Sequence, residues 1–408
     1  EVDAEPGALG HPHTDPLARA IAAGLRFPPV EGRRPYAVAT FPGRHVLEQL
    51  RAVGLEPVQE SEPADTNNKL DFKRAAARYG FAVPPWIELG SPADAETVAR
   101  EYGRSRRGGW LKLAHGAGGD TVRHLPAPFD GADVLRAFAS LKDAAETCFT
   151  KGDFGPGAWS RFWPAESFAT SASPVFFESD VGNLGRIVGD FSRTLILPRS
   201  GPALLPFFSE KVTDHEGTSM GHRPISFQRW VSDEVDRQMQ AAADYARAEL
   251  RLFGVVGVDF MLVETPSGEL APYLVEMNGR PPASYLSRAM ADKLGARHWA
   301  HVTAATDVEV NTPGDFLELA GDLATGSFDD GAARLTALKS QYVHDGGRLV
   351  LTRPGRSVRM LIASNRGPDD VQRVIAELGG RGFRLGSRVV ARASARARPV
   401  ARPAGGAE

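Results

Sequence analysis

Cysteine is almost absent: 408 residues contain one, Cys148. A single thiol forms no internal disulfide and supplies no thiolate cluster for zinc or an iron–sulfur centre. That usage fits a reducing compartment, so a cytoplasmic protein is expected, with Cys148 a packing residue. An excess of either charge is lacking too, with 48 Lys+Arg against 50 Asp+Glu and a net charge of -2. The basic surplus of a dedicated nucleic-acid binder is therefore missing, and no nucleic-acid partner is expected. No run approaches the roughly 18 uncharged apolar residues of a membrane span. The opening EVDAEPGALGHPHTDPLARAIAAG lacks the basic start and apolar core of an export signal, so no membrane partner is expected either. No internal repeat is visible.

What is there begins with length. A chain of 408 residues is roughly two to four typical domains long, enough for two or three packed units. Three regions are expected. Residues 1–65 form an N-terminal α/β prelude, with PYAVAT and LEPVQ as strands around a helical RHVLEQLRAVG. Residues 66–310 form the main domain, with a smaller α+β unit inserted at about 86–178. Residues 311–408 form a small α/β domain with a loose, low-complexity tail, ARASARARPVARPAGGAE.

Within the main domain, TNNKLDFKRAAARYG starts on capping residues and stops at Gly80, the pattern of a short helix. GWLKLA and PVFFE read as strands, DAETVAREYG and DVLRAFASLK as helices. RIVGDFSRTLIL reads as strand–turn–strand, and SEKVTDHEGTSMGHRP as a polar loop. DEVDRQMQAAADYARAELRLFG reads as a long helix capped near Ser232 and closed by Gly254. VGVDFMLVE and YLVEMN, joined by Pro266-Ser267-Gly268, read as a hairpin.

That hairpin carries chemistry. Alternation puts Glu276 and Asn278 on one face of the second strand, and antiparallel pairing brings Asp259 of the first strand to the same small volume. Two carboxylates brought together repel unless a cation sits between them. A hard divalent ion, Mg²⁺ or Mn²⁺, relieves the repulsion and takes the Asn278 amide oxygen as a further ligand. Arg280 follows as a fork suited to phosphate or carboxylate. The competing reading makes Asp259 and Glu276 exposed sheet residues and Asn278-Gly279 a turn. A second motif weighs against it: WLKLAHGAGGDTVRH sets Lys112 four residues before Gly116, Gly118 and Gly119, and backbone N–H groups of such a loop can approach polyphosphate closely. It is not a P-loop, since no Gly-Lys-Ser/Thr follows, nor the dinucleotide fingerprint, since no long helix opens at the loop.

In order, TNNKLDFKRAAARYGFAVPPW, LKLAHGAGGDTV, FFESDV, GVDFMLVE and YLVEMNGRP resemble the ATP-grasp superfamily of ATP-dependent carboxylate–amine ligases, from about Thr66 to about Leu294. The flanking regions are similar to the peptide-ligase branch of natural-product biosynthesis that includes the pheganomycin-type ligase. The resemblance implies an ATP-grasp fold with ATP between lid and sheet. Lys112 and the Gly116, Gly118 and Gly119 backbone would contact ATP, and Lys69 would be a further nucleotide-contacting lysine, although a solvated lysine at a helix start is the alternative. Glu178, or Asp180 if the alignment shifts by two, would serve ribose or adenine. Asp259, Glu276 and Asn278 would hold magnesium. Arg280 would face the acyl phosphate or the substrate carboxylate.

The implied reaction joins a small-molecule carboxylate to an amine, an amino acid or peptide, through an acyl phosphate, with release of ADP and phosphate. Positioning and electrostatics carry such chemistry, which accounts for the lack of a Ser/His/Asp or Cys/His pattern. In the polar loop His215, Glu216 and His222 would border the acceptor site, with a mobile surface loop as the alternative. Two readings stay open beside this one: the same fold acting on a carrier-protein-bound substrate, and a nucleotide-binding protein without turnover. A homodimer is the default assembly for a soluble enzyme.

Overall fold

A computed structural model of the chain describes residues 36–37, 51–52, 54–57, 68–115, 122–151, 174–213, 219–293, 295–306, 318–319, 321, 334–337, 342–345, 348–351, 357–364 and 367–385. They fall into two compact units, Glu1–Pro206 with Phe227–Pro282, and Phe207–Ser226 with Ala283–Glu408. The fold is mixed α/β with mainly antiparallel sheets. In the first unit β1 (Tyr36–Ala37) and β2 (Glu56–Pro57) pair in parallel, joining the two strands expected of the prelude.

Helix α1 (Lys69–Tyr79) begins where its sequence says it should. The Asn68 side chain accepts from the N–H groups of Leu70 and Asp71, and Gly80 ends the helix at φ 77, a left-handed conformation that glycine adopts without steric cost. After it comes a four-stranded antiparallel sheet in the order β3 (Trp86–Leu89), β6 (Val175–Ser179), β4 (Gly109–Leu113), β5 (Val122–Leu125). Helices α2 (Pro92–Tyr102) and α3 (Gly131–Lys151) cover one face of it, where Leu111, Leu113, Val175 and Phe177 meet Ala95, Val98, Val134 and Leu141. Period-two alternation sends the intervening residues, Trp110, Lys112, Phe176 and Glu178, to the other face.

A second sheet of this unit runs β11 (Leu270–Asn278), β10 (Gly254–Glu264), β7 (Arg186–Leu197). RIVGDFSRTLIL is thus one strand of 12 residues, not strand–turn–strand. β10 gives it a partner along its whole length, and the irregularity is absorbed as a bulge between Leu262 and Val263, beside Gly189. Helix α4 (Arg229–Ala248) lies on one face of this sheet, where Asp236 pairs with Arg193 of β7 at 3.0 Å. It starts before Ser232, with Gln228 at its N-cap, and ends at Ala248; Gly254 opens β10 instead of closing the helix. Between α1 and α4, Phe72 stacks on Phe81 at 4.9 Å between ring centres and meets Tyr245 at 6.1 Å.

In the second unit β8 (Leu204–Thr213, from Phe207 on), β9 (Ser219–Ile225), β12 (His298–Thr306), β16 (Ser357–Ser364) and β13 (Arg334–Ala337) follow one another, with β17 (Phe383–Leu385) also paired to β12. Helices α5 (Ala283–Lys293) and α6 (Pro368–Gly379) belong to the same unit, and β14 (Tyr342–Asp345) and β15 (Arg348–Leu351) make a separate hairpin. Its core includes Trp299, Leu361, Ala363 and Ala291. Of the expected polar loop, residues 209–213 and 219–224 are strand instead: Glu210 and Arg223 face each other across β8 and β9 and pair at 2.5 Å, while 214–218 lie outside the described residues. Strand pairing satisfies their backbone groups, which a surface loop would leave to water. Among the described residues no helix is long and apolar enough to cross a membrane.

Candidate active site

The β10–β11 hairpin sets the geometry. Asp259 lies directly opposite Glu276, and Gly257 opposite Asn278; the register slips only beyond that, between Asp259 and Phe260. Asp259, Glu276 and Asn278 therefore share one face, and the Asn278 amide nitrogen donates to Asp259 Oδ2 at 3.3 Å. Asp259 is buried and Glu276 half-buried. Ser192 of β7 extends the row on the far side of Asp259. A side chain at Gly257 would run into Pro282, its Cβ 2.9 Å from the proline Cβ, so Pro282 closes over this end of the hairpin.

Two cations answer the two carboxylates. Lys69 Nζ lies 3.5 Å from Glu276 Oε2. Its place is fixed by the Asn68 cap and by the Lys69 N–H, which donates to the Ala114 carbonyl at 2.9 Å, tying the start of α1 to the end of β4. Burial lowers the Arg280 pKa, while Glu276 and Asp259 pull it back up, so this guanidinium sits in the field of both acids.

One turn along α1 from Lys69 is Lys73, fully buried, with its ammonium 2.6 Å from Glu178 Oε2 and donating to the Leu274 carbonyl at 3.3 Å. Glu178 Oε1 takes the ammonium of Lys112. Burial by itself would raise the Glu178 carboxyl, but Lys112 and Lys73 overcome that and hold it below its ordinary range. Burial lowers Lys73 to about 8, with Lys112 adding to the effect and Glu178 opposing it. Glu178 is also flanked in register by Trp86 of β3 and Trp110 of β4, and the Trp110 ring lies 4.4 Å from that of His124. Helix α1 thus joins the acid–amide face of one sheet to the lysine–glutamate face of the other.

The other expected residues fall as follows. Asp180 caps a short 3-10 turn, Val181–Asn183, by accepting from the Gly182 N–H at 2.7 Å. His222 is buried on β9 in register with His301 of β12, not displayed on a loop. Gly116, Gly118, Gly119, His215 and Glu216 lie outside the described residues, and Cys148 lies in α3 with its side chain undescribed. Lys73 is the residue sequence reasoning passed over. Its signal was present, a lysine one turn after Lys69 among the apolar Leu70, Phe72 and Ala76, where a solvated lysine is out of place.

Oxygen donors on one face suit a hard divalent cation. Among the described residues no three His, Cys, Asp or Glu side chains gather around a common point; beside Asp259 and Glu276 stands the Asn278 amide, whose oxygen is the further donor this face could offer.

No protein-family model and no curated protein matches the chain. Solved structures do. The biotin carboxylase domain of Hydrogenobacter thermophilus 2-oxoglutarate carboxylase, in complex with MgADP, ADP and bicarbonate, is 12% identical with a TM-score of 0.55, covering 90% of this chain and 76% of that one. Biotin carboxylase from Campylobacter jejuni, a βγ-ATP complex, is 12% identical with a TM-score of 0.56, covering 88% and 78%. Carboxyaminoimidazole ribonucleotide synthase from Aspergillus clavatus, complexed with ATP, is 13% identical with a TM-score of 0.50, covering 85% and 79%. These are ATP-grasp structures, and this chain has the ATP-grasp fold.

Proposed function

We propose that the protein is an ATP-dependent carboxylate–amine ligase that forms an amide through an acyl phosphate, with a role in peptide natural-product assembly. The observation that carries this is the acid–amide face of Asp259, Glu276 and Asn278, answered by Lys69 and Arg280, inside an ATP-grasp fold. The nucleotide complexes of the structural neighbours support ATP and magnesium as what this face meets.

Lys112 and Lys69 supply positive charge for phosphate oxygens, together with the Gly116–Gly119 backbone, and Glu178 lies between Trp86 and Trp110 as the candidate for the nucleoside end. Asp259, Glu276 and Asn278, its amide turned so that the oxygen faces inward, would hold magnesium, which neutralises charge on the phosphates. A substrate carboxylate oxygen bonds to the γ-phosphorus as the bond to ADP breaks. The amine nitrogen then bonds to the acyl carbon, phosphate leaves and the nitrogen loses a proton. Arg280, half-buried beside the acids, orients the carboxylate and spreads the charge that develops on the transferring group.

The test is nucleotide turnover over pairs of carboxylates and amines, with mass spectrometry of the products. ADP and phosphate in step with amide are expected; AMP with pyrophosphate would overturn the acyl-phosphate reading.

A further inference from the structure

The ligase reading gives Lys73 no task, yet few groups in the first unit are held more closely. Its ammonium is 2.6 Å from Glu178 Oε2, and Lys112 takes the other oxygen of the same carboxylate. The two lysines differ in freedom. The Lys73 side chain is 0% exposed and anchored on the Leu274 carbonyl, whereas that of Lys112 keeps 12% exposure on the strand that runs into the glycine-rich segment. One lysine can turn to a ligand and the other cannot.

Resting on the ATP reading, we infer that Lys73 is a positioning residue of the nucleotide site: it stays as the fixed counter-ion of Glu178 when Lys112 turns from that carboxylate to a phosphate. Without Lys73, the departure of Lys112 would strand a buried carboxylate, a strongly unfavourable state. Glu178 would then hold Lys112 back, and nucleotide affinity would fall.

The charges that face Lys73 are Glu178 from β6, Lys112 from β4 and Glu276 from β11. Burial and then Lys112 account for its lowered value of about 8, against Glu178 and Glu276. When Lys112 moves to a phosphate its repulsion weakens and Glu178 is left to Lys73 alone, so the complex holds the Lys73 proton more tightly than the free protein. Binding then takes up a proton wherever free Lys73 has lost one. Affinity is flat below about pH 8 and declines above it.

The test is calorimetric titration of the full chain with ADP from about pH 7 to about pH 9.5, for the wild type, Lys73→Met, Lys73→Arg and Lys112→Ala. The wild type is expected to lose up to about tenfold in affinity per pH unit above about pH 8. Lys73→Met, checked for folding by circular dichroism, should bind at least about tenfold more weakly near pH 7 and lose that pH dependence. Lys73→Arg should bind within about threefold of the wild type near pH 7 and stay flat to high pH, because a guanidinium keeps its proton. If Lys73→Met does not fold, Lys73→Arg decides the matter alone. A folded Lys73→Met that binds as tightly as the wild type, or a Lys73→Arg that keeps the wild-type decline, overturns the inference. If Lys112→Ala weakens ADP while the Lys73 variants do not, this inference fails and the ATP reading stands; a wild type without affinity for ADP overturns both.

Discussion

Glu178→Gln keeps the shape of the side chain and removes the anion between two lysines. Lys73 sits at about 8 instead of 10.5, so at pH 7 keeping its proton inside the fold costs roughly 3 kcal/mol at about 1.4 kcal/mol per pH unit. The ceiling on that cost, reached when Lys73 gives the proton up, is roughly 5 kcal/mol at pH 7 by the same conversion. Losing Glu178 drives Lys73 to that ceiling, a further 1–2 kcal/mol or so, and the charged hydrogen bond from Lys112 adds about 1.5–3 kcal/mol. The sum, about 3–5 kcal/mol, agrees with what breaking a buried pair typically costs. Thermal unfolding near pH 7 should therefore fall by on the order of 10 °C.

The pH dependence follows in sign. Lys73 is depressed in the fold, so the wild type gains stability as pH rises from about 8 towards 10.5, while the variant, with Lys73 already neutral, begins to gain at lower pH. The gap between them narrows up to about pH 8 and is constant above it. At the acid end the wild type alone loses the Glu178 contribution, which is present above 4.5 and disappears as pH falls through the lowered value of the folded state. Unfolding temperatures measured by calorimetry over this range check the reasoning. A gap below about 1 kcal/mol near pH 7, or one that widens towards pH 8, would refute the charge balance drawn for the triad.

Asp259→Asn and Glu276→Gln each remove one anion from the acid–amide face; ATP-dependent phosphate release is expected to drop by at least about 100-fold, roughly 3 kcal/mol, with the unfolding temperature little changed. Undiminished release from either variant would remove the magnesium assignment. Phe72→Ala empties a buried ring position between Phe81 and Tyr245 and should cost about 3–5 kcal/mol in denaturant unfolding. A loss under about 1 kcal/mol would mean that α1 and α4 do not pack as described.

The sequence by itself determined whatever depends on near neighbours. Asn68 and Gly80 set the ends of α1, and Pro266-Ser267-Gly268 joined two strands whose alternation alone predicts that Asp259, Glu276 and Asn278 share a face. A hairpin closed by a short turn has little freedom of register, so local pattern suffices there. It failed where the partner is remote. RIVGDFSRTLIL carries turn-like residues and is still one strand because β10 pairs with it along its length, and the polar residues 209–213 and 219–224 lie in β8 and β9, which pair with Glu210 opposite Arg223. The tertiary structure alone decided that Lys112 and Glu178, 66 residues apart, meet with Lys73 between the two sheets. No spacing encodes that meeting: it follows from the burial of α1 against segments far along the chain, and burial is what turns an ordinary lysine into one that holds its proton only below about pH 8.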